Sequence, residues 1–267
     1  MPIASGQGSP FPGRVIKIGE ADRATVLVIQ HRLNEVGCGP LEENGGFDSR
    51  TENAVKLFQA RFSDAEGASL QVDGKVGPIT WAALFGTESV SVVHEVADPL
   101  LARVLEVAAS QIGVMEQPPG SNRGPQVDKY LRAVGLNPAA GSFAWCVAFV
   151  YWCFDQAAQA LQKPNPMIKT AGVLDHWDTA GQRGIRRISS PTAEDTPTLI
   201  RPGQIFVIST GGGHGHSGLV ELTRGGKLTT IEGNTNTGGS REGVGVFRRE
   251  SRKIADINTG FIDYSNV

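Results

Sequence analysis

Cysteine is scarce in this sequence: three thiols, Cys38, Cys146 and Cys153, among 267 residues. The odd count leaves at least one thiol unpaired. No C-x-x-C pair accompanies His214 and His216, so the short paired spacing of a structural zinc site is missing. On one helix Cys146 and Cys153 would lie roughly 10 Å apart along the axis. That exceeds the Cα separation of about 7 Å that a disulfide spans. The thiols read as free, as in a chain made in a reducing compartment. Charge of one sign is lacking too: the net charge is −2. No basic field is present to hold nucleic acid or an anionic membrane. No apolar run reaches the roughly 18 residues of a membrane span. The opening stretch "MPIASGQGSPFPGRVIKIG" has no basic start followed by an apolar segment, so a secretory signal peptide is not expected. No D-x-D-x-D-G loop is present, and calcium is not expected.

What is there suits a globular chain with room for two domains: 40% hydrophobic and 19% charged residues, with 34 glycines to supply turns. Residues 1–19, rich in Gly, Pro and Ser, read as an extended lead-in. "DRATVLVIQHRLNEVGCG" places Val26, Ile29, Leu33 and Val36 at helical spacing, with Gly37 as a stop. "FDSRTENAVKLFQARF" predicts a second helix, capped by Asp48 or Ser49, with Ala54, Leu57, Phe58 and Phe62 inward. "PITWAALFG" predicts a third, with Pro78 in its first turn and Gly86 past its end. Together they make a three-helix bundle over residues 20–86. Residues 87–98 read as a linker.

Residues 99–267 change character halfway. "PLLARVLEVAASQIGV", "QVDKYLRAVGL" and "GSFAWCVAFVYWCF" predict helices, the last with Ser142 as N-cap, and "KPNPMIKTAGVLDHWDTAGQRG" a loop and a helix. From about residue 203 come "QIFVIS", "HSGLVELT", "KLTTIEGN", "VGVFRRE" and "GFIDY", short β-branched runs divided by Gly-rich turns. They predict an antiparallel sheet. Helices first and strands second define an α+β domain. No internal repeat is visible.

The N-terminal stretch resembles the peptidoglycan-binding family of three-helix modules. The residues that carry the likeness are "VIQHRLNEVG", "GGFDSRTENAVKLFQARF" and "VDGKVGPITWAAL". Phe47, Phe58, Trp81 and Leu84 are expected to form its core. The resemblance implies affinity for glycan strands or stem peptides.

In the second region Cys146 would sit in the first turns of its helix, where the partial positive charge of the N-terminus favours a thiolate. A nucleophile also needs a base. His216, at the start of "HSGLVELT", is the candidate, and Glu232 in "TTIEGNTN" can orient its ring from the next antiparallel strand. Asn234 is a fourth candidate, for orienting the ring or binding substrate. His214 shares a strand face with His216 and is the alternative base. Glu221 falls on the opposite face. Cys153 reads as a buried small hydrophobe. His94 and His176 read as surface residues, Asp175 and Asp178 as solvated helix charges, and "VFRRESRK" as a solvated strand end and turn, with attraction of anionic stem-peptide carboxylates as the alternative.

The order and local sequence resemble the CHAP family of cysteine peptidases and amidases: "AWCVAFVYWC" for the nucleophile helix, "GHSGLV" for the histidine strand, "IEGN" for the acid strand. The resemblance implies a papain-like domain, helices packed on an antiparallel sheet, that hydrolyses peptidoglycan amide bonds. Cys146 would be the nucleophile, His216 the base and Glu232 the orienting acid, with no cofactor and no metal. The preferred bond is that between N-acetylmuramic acid and L-alanine; cleavage within stem peptides or cross-links is the alternative. A wall-binding protein without catalysis is the alternative of another class. Expected partners are peptidoglycan and, for a toxin-like antibacterial effector, an immunity protein or a secretion-apparatus component; a phage-type endolysin needs neither. The chain is expected to be a monomer and to reach the periplasm or cell wall from the cytoplasm by a route other than Sec.

Overall fold

The computed structural model describes residues 9–236 and 243–267. The Gly-containing residues 237–242 lie outside the described residues, as do the first eight positions. Two compact units divide the chain. The first comprises residues up to Val92, with the short segments Glu194–Thr198 and Arg224–Gly226; the second comprises the remainder.

The first unit is built on α1 (Arg23–Glu35), α2 (Ser49–Arg61) and α3 (Pro78–Phe85). Asp22 caps α1 by accepting from the Thr25 N–H, and Asp48 caps α2 by accepting from the Arg50 and Thr51 N–H groups. Such caps satisfy donors that the first turn leaves free. Phe47, Phe58, Trp81 and Leu84 are buried with Val26, Ile29 and Leu33. Leu57, expected inward, is 42% exposed. The lead-in is more than a leader: Ile16 is fully buried in this core and bridges Val76, and the Ser9 carbonyl accepts from the Trp81 indole at 2.9 Å.

A repeat that the sequence hides appears in the hydrogen bonds. Gln30 Nε2 donates to the Gly46 carbonyl and to Thr51 Oγ1, and its Oε1 accepts from the Gly45 N–H. Gln59 does the same with the Lys75 carbonyl, Thr80 Oγ1 and the Gly74 N–H. Every partner is offset by 29 positions. Each glutamine, 2% exposed, closes the loop that follows its helix and leads into the next one. Among the bonded residues the Gln, one Gly and the Thr are identical between the copies, and Gly46 is replaced by Lys75, so the hydrogen bonds show the repeat more clearly than the side-chain pattern. Gln59→Leu keeps the volume but strands the Gly74 N–H and Lys75 carbonyl, and each buried unpaired group costs about 1–3 kcal/mol. We expect a loss of about 2 kcal/mol or more, read by urea unfolding of the tryptophan signal.

The second unit is α+β. The two-residue strand β1 (Val92–Val93) falls where the chain passes from the first unit to the second. The second unit's helices begin with α4 (Pro99–Ser110), α5 (Val127–Ala133), α6 (Cys146–Ala160) and α7 (Val173–Gln182); the short α8 (Ser190–Asp195) follows. The strands are β2 (Arg186–Ser189), β3 (Ile205–Gly211), β4 (His214–Arg224), β5 (Lys227–Thr235), β6 (Gly245–Lys253) and β7 (Gly260–Asp263). They join in the order β2-β7-β3-β4-β5-β6. The pairs β2–β7, β3–β7, β3–β4 and β5–β6 are antiparallel. The edge strand β2, with the exposure pattern of a solvated "RRIS", carried no sequence signal.

Helix α6 has almost no polar face because it is surrounded. Ten of its residues, Cys146 to Ala158, are buried. They pack with α4, α5 and the inward residues Ile205, Val207, Leu219 and Ile231 of the sheet. Tyr130 packs its ring against Trp145, Phe149 and Trp152. A separate cluster of Ile188, Phe206, Val220, Leu228, Ile254, Ile257 and Phe261 forms the second core of the unit.

Candidate active site

Cys146 is the first residue of α6, and Trp145 is its N-cap without a side-chain cap bond. Ser142, expected as the cap, lies outside the helix and accepts from Asn122 Nδ2 at 2.9 Å. The helix therefore starts one residue from the nucleophile candidate rather than a turn before it. The thiol sits directly at the positive end of a 15-residue helix. Cys153, two turns on, is fully buried, and burial pushes its thiol well above its ordinary value. The three cysteines are free.

The structure brings His216 of β4 and Glu232 of β5 together. His216 Nε2 and Glu232 Oε2 are 2.7 Å apart, and both side chains are buried. With Glu232 ionised, Nε2 carries the hydrogen, which leaves Nδ1 as the reactive nitrogen. Nδ1 is buried without an aligned hydrogen-bond partner. Cys146 nevertheless lies close enough to act on the ring. Burial pulls the His216 pKa down, but interaction with Cys146 and with Glu232 outweighs it and raises the value to about 9. A contact that is near yet unaligned before substrate arrives is common in apo sites.

Glu232 is held from every side. Its Oε1 accepts from Thr230 Oγ1 at 2.6 Å and Arg252 Nε at 2.9 Å; its Oε2 accepts from His216 and from Arg252 Nη2 at 2.9 Å. Burial alone would raise its pKa. The hydrogen bond and charge of His216, the charge of Arg252 and the Thr230 hydroxyl reverse this and hold it at about 2. Arg252 belongs to "VFRRESRK", expected to be solvated, and it is instead 8% exposed. The reason is local. Between Leu228 and Thr230 the β5–β6 register shifts: Leu228 pairs with Arg252, Thr230 with Arg249. An extra residue on β6 switches the alternation, turning Arg252 inward. Arg248 on the same strand stays exposed and pairs with Glu221 at 2.7 Å.

Two glycines in the quoted motifs permit these approaches. A Cβ on Gly218 would stand 2.9 Å from Glu232 Cγ and 2.8 Å from Phe206 Cε1. A Cβ on Gly233 would stand 2.7 Å from Phe149 Cβ and 2.8 Å from Trp145 Cζ3. Asn234 ends the acid stretch with φ 54°, a left-handed conformation that Asn tolerates. Its Oδ1 is buried without a partner. Among the described residues no hydrogen bond joins it to His216. His214 is exposed, away from this buried group.

Glu116 carried no sequence signal. It is buried in the loop after α4, and its Oε1 accepts from the indole of Trp145 at 2.9 Å. It thereby fixes the residue before Cys146. His176, expected at the surface, is fully buried on α7. Its Nε2 stands 2.8 Å from the Tyr264 hydroxyl. Periodicity around it is diluted by Asp175 and Asp178, which are exposed as expected. Burial lowers the His176 pKa from 6.5 to about 4. A depressed folded value means the unfolded state takes up the proton first. Stability is thus full above pH 6.5 and falls as the pH drops through about 4. The loss amounts to about 3 kcal/mol at 1.36 kcal/mol per unit. Urea unfolding from pH 7 to 4 should show a slope shallower by about one proton in His176→Gln than in the wild type.

Helices packed on an antiparallel sheet, with Cys146 at the start of a helix and His216 and Glu232 on adjacent strands, have the papain-like arrangement. Within it, residues 138–234 match the CHAP domain model. Residues 22–84 match the model of the putative peptidoglycan binding domain. The chain carries a CHAP domain behind a peptidoglycan-binding domain, and the pairing supports a peptidoglycan hydrolase. No curated protein and no solved structure matches the chain. Among the described residues no cluster of three His, Cys, Asp or Glu side chains could hold a metal. Among them no helix is long and apolar enough to cross a membrane.

Proposed function

We propose that this protein is a cysteine-dependent hydrolase of peptidoglycan amide bonds, with Cys146 as nucleophile, His216 as acid and base, and Glu232 as the group that orients the imidazole. The observation that carries the reading is the 2.7 Å contact between His216 and Glu232 beside a thiol at the start of α6. The Cys146 sulfur attacks the amide carbonyl carbon. The oxyanion accepts from the Cys146 backbone N–H, free at the first position of the helix. His216 delivers its Nδ1 proton to the leaving amine, and a thioester remains. The same nitrogen then takes a proton from water. The resulting hydroxide attacks the thioester, and the sulfur departs. Glu232 accepts from Nε2 throughout and stays ionised.

The bond between muramic acid and L-alanine is the proposed target. The N-terminal module raises the local concentration of the catalytic unit on its polymer. Digestion of purified sacculi followed by mass spectrometry tests this. New amino termini at L-alanine support the amidase; split cross-links or shortened stems with intact muramoyl amides replace it with an endopeptidase. No soluble product from wild-type protein that sediments with sacculi overturns the catalytic reading in favour of a binding protein.

A further inference from the structure

We propose that Arg252 is a positioning residue of this site, clamping Glu232 as a rigid, ionised acceptor for His216 and offsetting its charge so that the imidazolium proton stays transferable. The proposal rests on the catalytic reading of Cys146 and His216. Its basis is geometric. Arg252 donates Nε to one carboxylate oxygen and Nη2 to the other, both at 2.9 Å, a bidentate fork. Its guanidinium also lies 4.8 Å from the centre of the Phe206 ring, and that ring's centre is 5.8 Å from the centre of the His216 ring. The guanidinium, carboxylate and imidazole thus share one buried wall, and the carboxylate has no freedom to swing away from Nε2.

Charge decides what the clamp does beyond holding. The groups facing Glu232 are His216 from β4, Thr230 from β5 and Arg252 from β6, with Arg249 in register opposite Thr230. The groups acting on His216 are Cys146 from α6 and Glu232. Guanidinium, carboxylate and imidazolium sum to one positive charge. Without Arg252 the buried group loses that charge, and the imidazolium would hold its proton more tightly. Proton delivery to the leaving amine would slow, and the alkaline limit of activity would move up.

Arg252→Met and Arg252→Lys test this, with Arg248→Met as the control on the same strand and Cys146→Ala as the control on the catalytic reading. The readouts are the pH profile of sacculus solubilisation and the pH profile of iodoacetamide alkylation at Cys146, which needs no turnover. Arg252→Met should be slower by about 10–100-fold, the scale of misplacing a catalytic group. Its alkaline limb should rise by about one pH unit, the scale of removing one neighbouring charge. Arg252→Lys should return the limb to its wild-type position but recover only part of the rate, because lysine cannot form the fork. A limb unmoved in Arg252→Met, or rates lost equally in both variants without a limb shift, overturns the role. If Arg252→Met does not fold, Arg252→Lys decides. A loss of about tenfold at unchanged melting temperature supports the clamp, and a wild-type rate overturns it. Activity surviving in Cys146→Ala overturns the catalytic reading itself. Inactive Cys146→Ala with unshifted Arg252 variants overturns the clamp alone.

Discussion

Cys146→Ala should abolish release of soluble fragments from sacculi, with a rate loss of at least about 10⁴-fold, the scale seen when a covalent nucleophile is removed. The substitution deletes one sulfur from the first position of α6 and touches no hydrogen bond of the His216–Glu232–Arg252 group. The fold and the N-terminal bundle should therefore be retained. Cosedimentation with sacculi is the check: an inactive variant that still binds separates chemistry from adhesion. Retained hydrolysis in this variant sinks the nucleophile assignment. Cys153 cannot substitute, because it is fully buried and burial keeps it a thiol. Cys38 lies in the core of the other unit.

Glu232→Gln should be nearly as damaging, and in two measurable ways at once. Glutamine preserves the shape but removes the charge that two buried cations share. Leaving buried charge uncompensated costs about 3–5 kcal/mol. The rate should fall by about 10²–10⁴-fold, because the amide no longer selects the Nε2–H tautomer. The pH dependence gives the sign. The Glu232 pKa is depressed from 4.5 to about 2, so its contribution is complete above pH 4.5 and is lost as the pH falls through about 2. The His216 pKa is raised from 6.5 to about 9, so its contribution is complete below pH 6.5 and is lost as the pH rises through about 9. The stability difference between wild type and Glu232→Gln should be largest between these limits and shrink on both sides. A difference that is constant from pH 3 to pH 10 would exclude the ion-pair account.

Much of this was legible beforehand because the signals are local. Asp22, Asp48 and Pro78 announce helix starts, and the spacing of Val26, Ile29 and Leu33 describes a buried face. Alternation along "GHSGLV" and "TTIEGN" separates His216 from Glu221 and places Glu232 on a neighbouring strand. What escaped was non-local. Ile16, in a Gly- and Pro-rich segment, is buried because it bridges Val76, 60 positions away. Ser142, expected as a cap, instead accepts from Asn122, 20 positions back, and the helix begins at Cys146.

The sequence by itself determined the α+β order, the free thiols, the helix carrying Cys146 and the chemistry available at His216 and Glu232, since each follows from residue type and short-range periodicity. Only the tertiary structure decided what surrounds that chemistry. A one-residue bulge turned Arg252 from a solvated face to the carboxylate, packing against Tyr264 buried His176, and the Trp145 indole found Glu116 across a loop. A bulge reverses every alternation after it, and a partner brought by folding has no spacing in the chain to betray it.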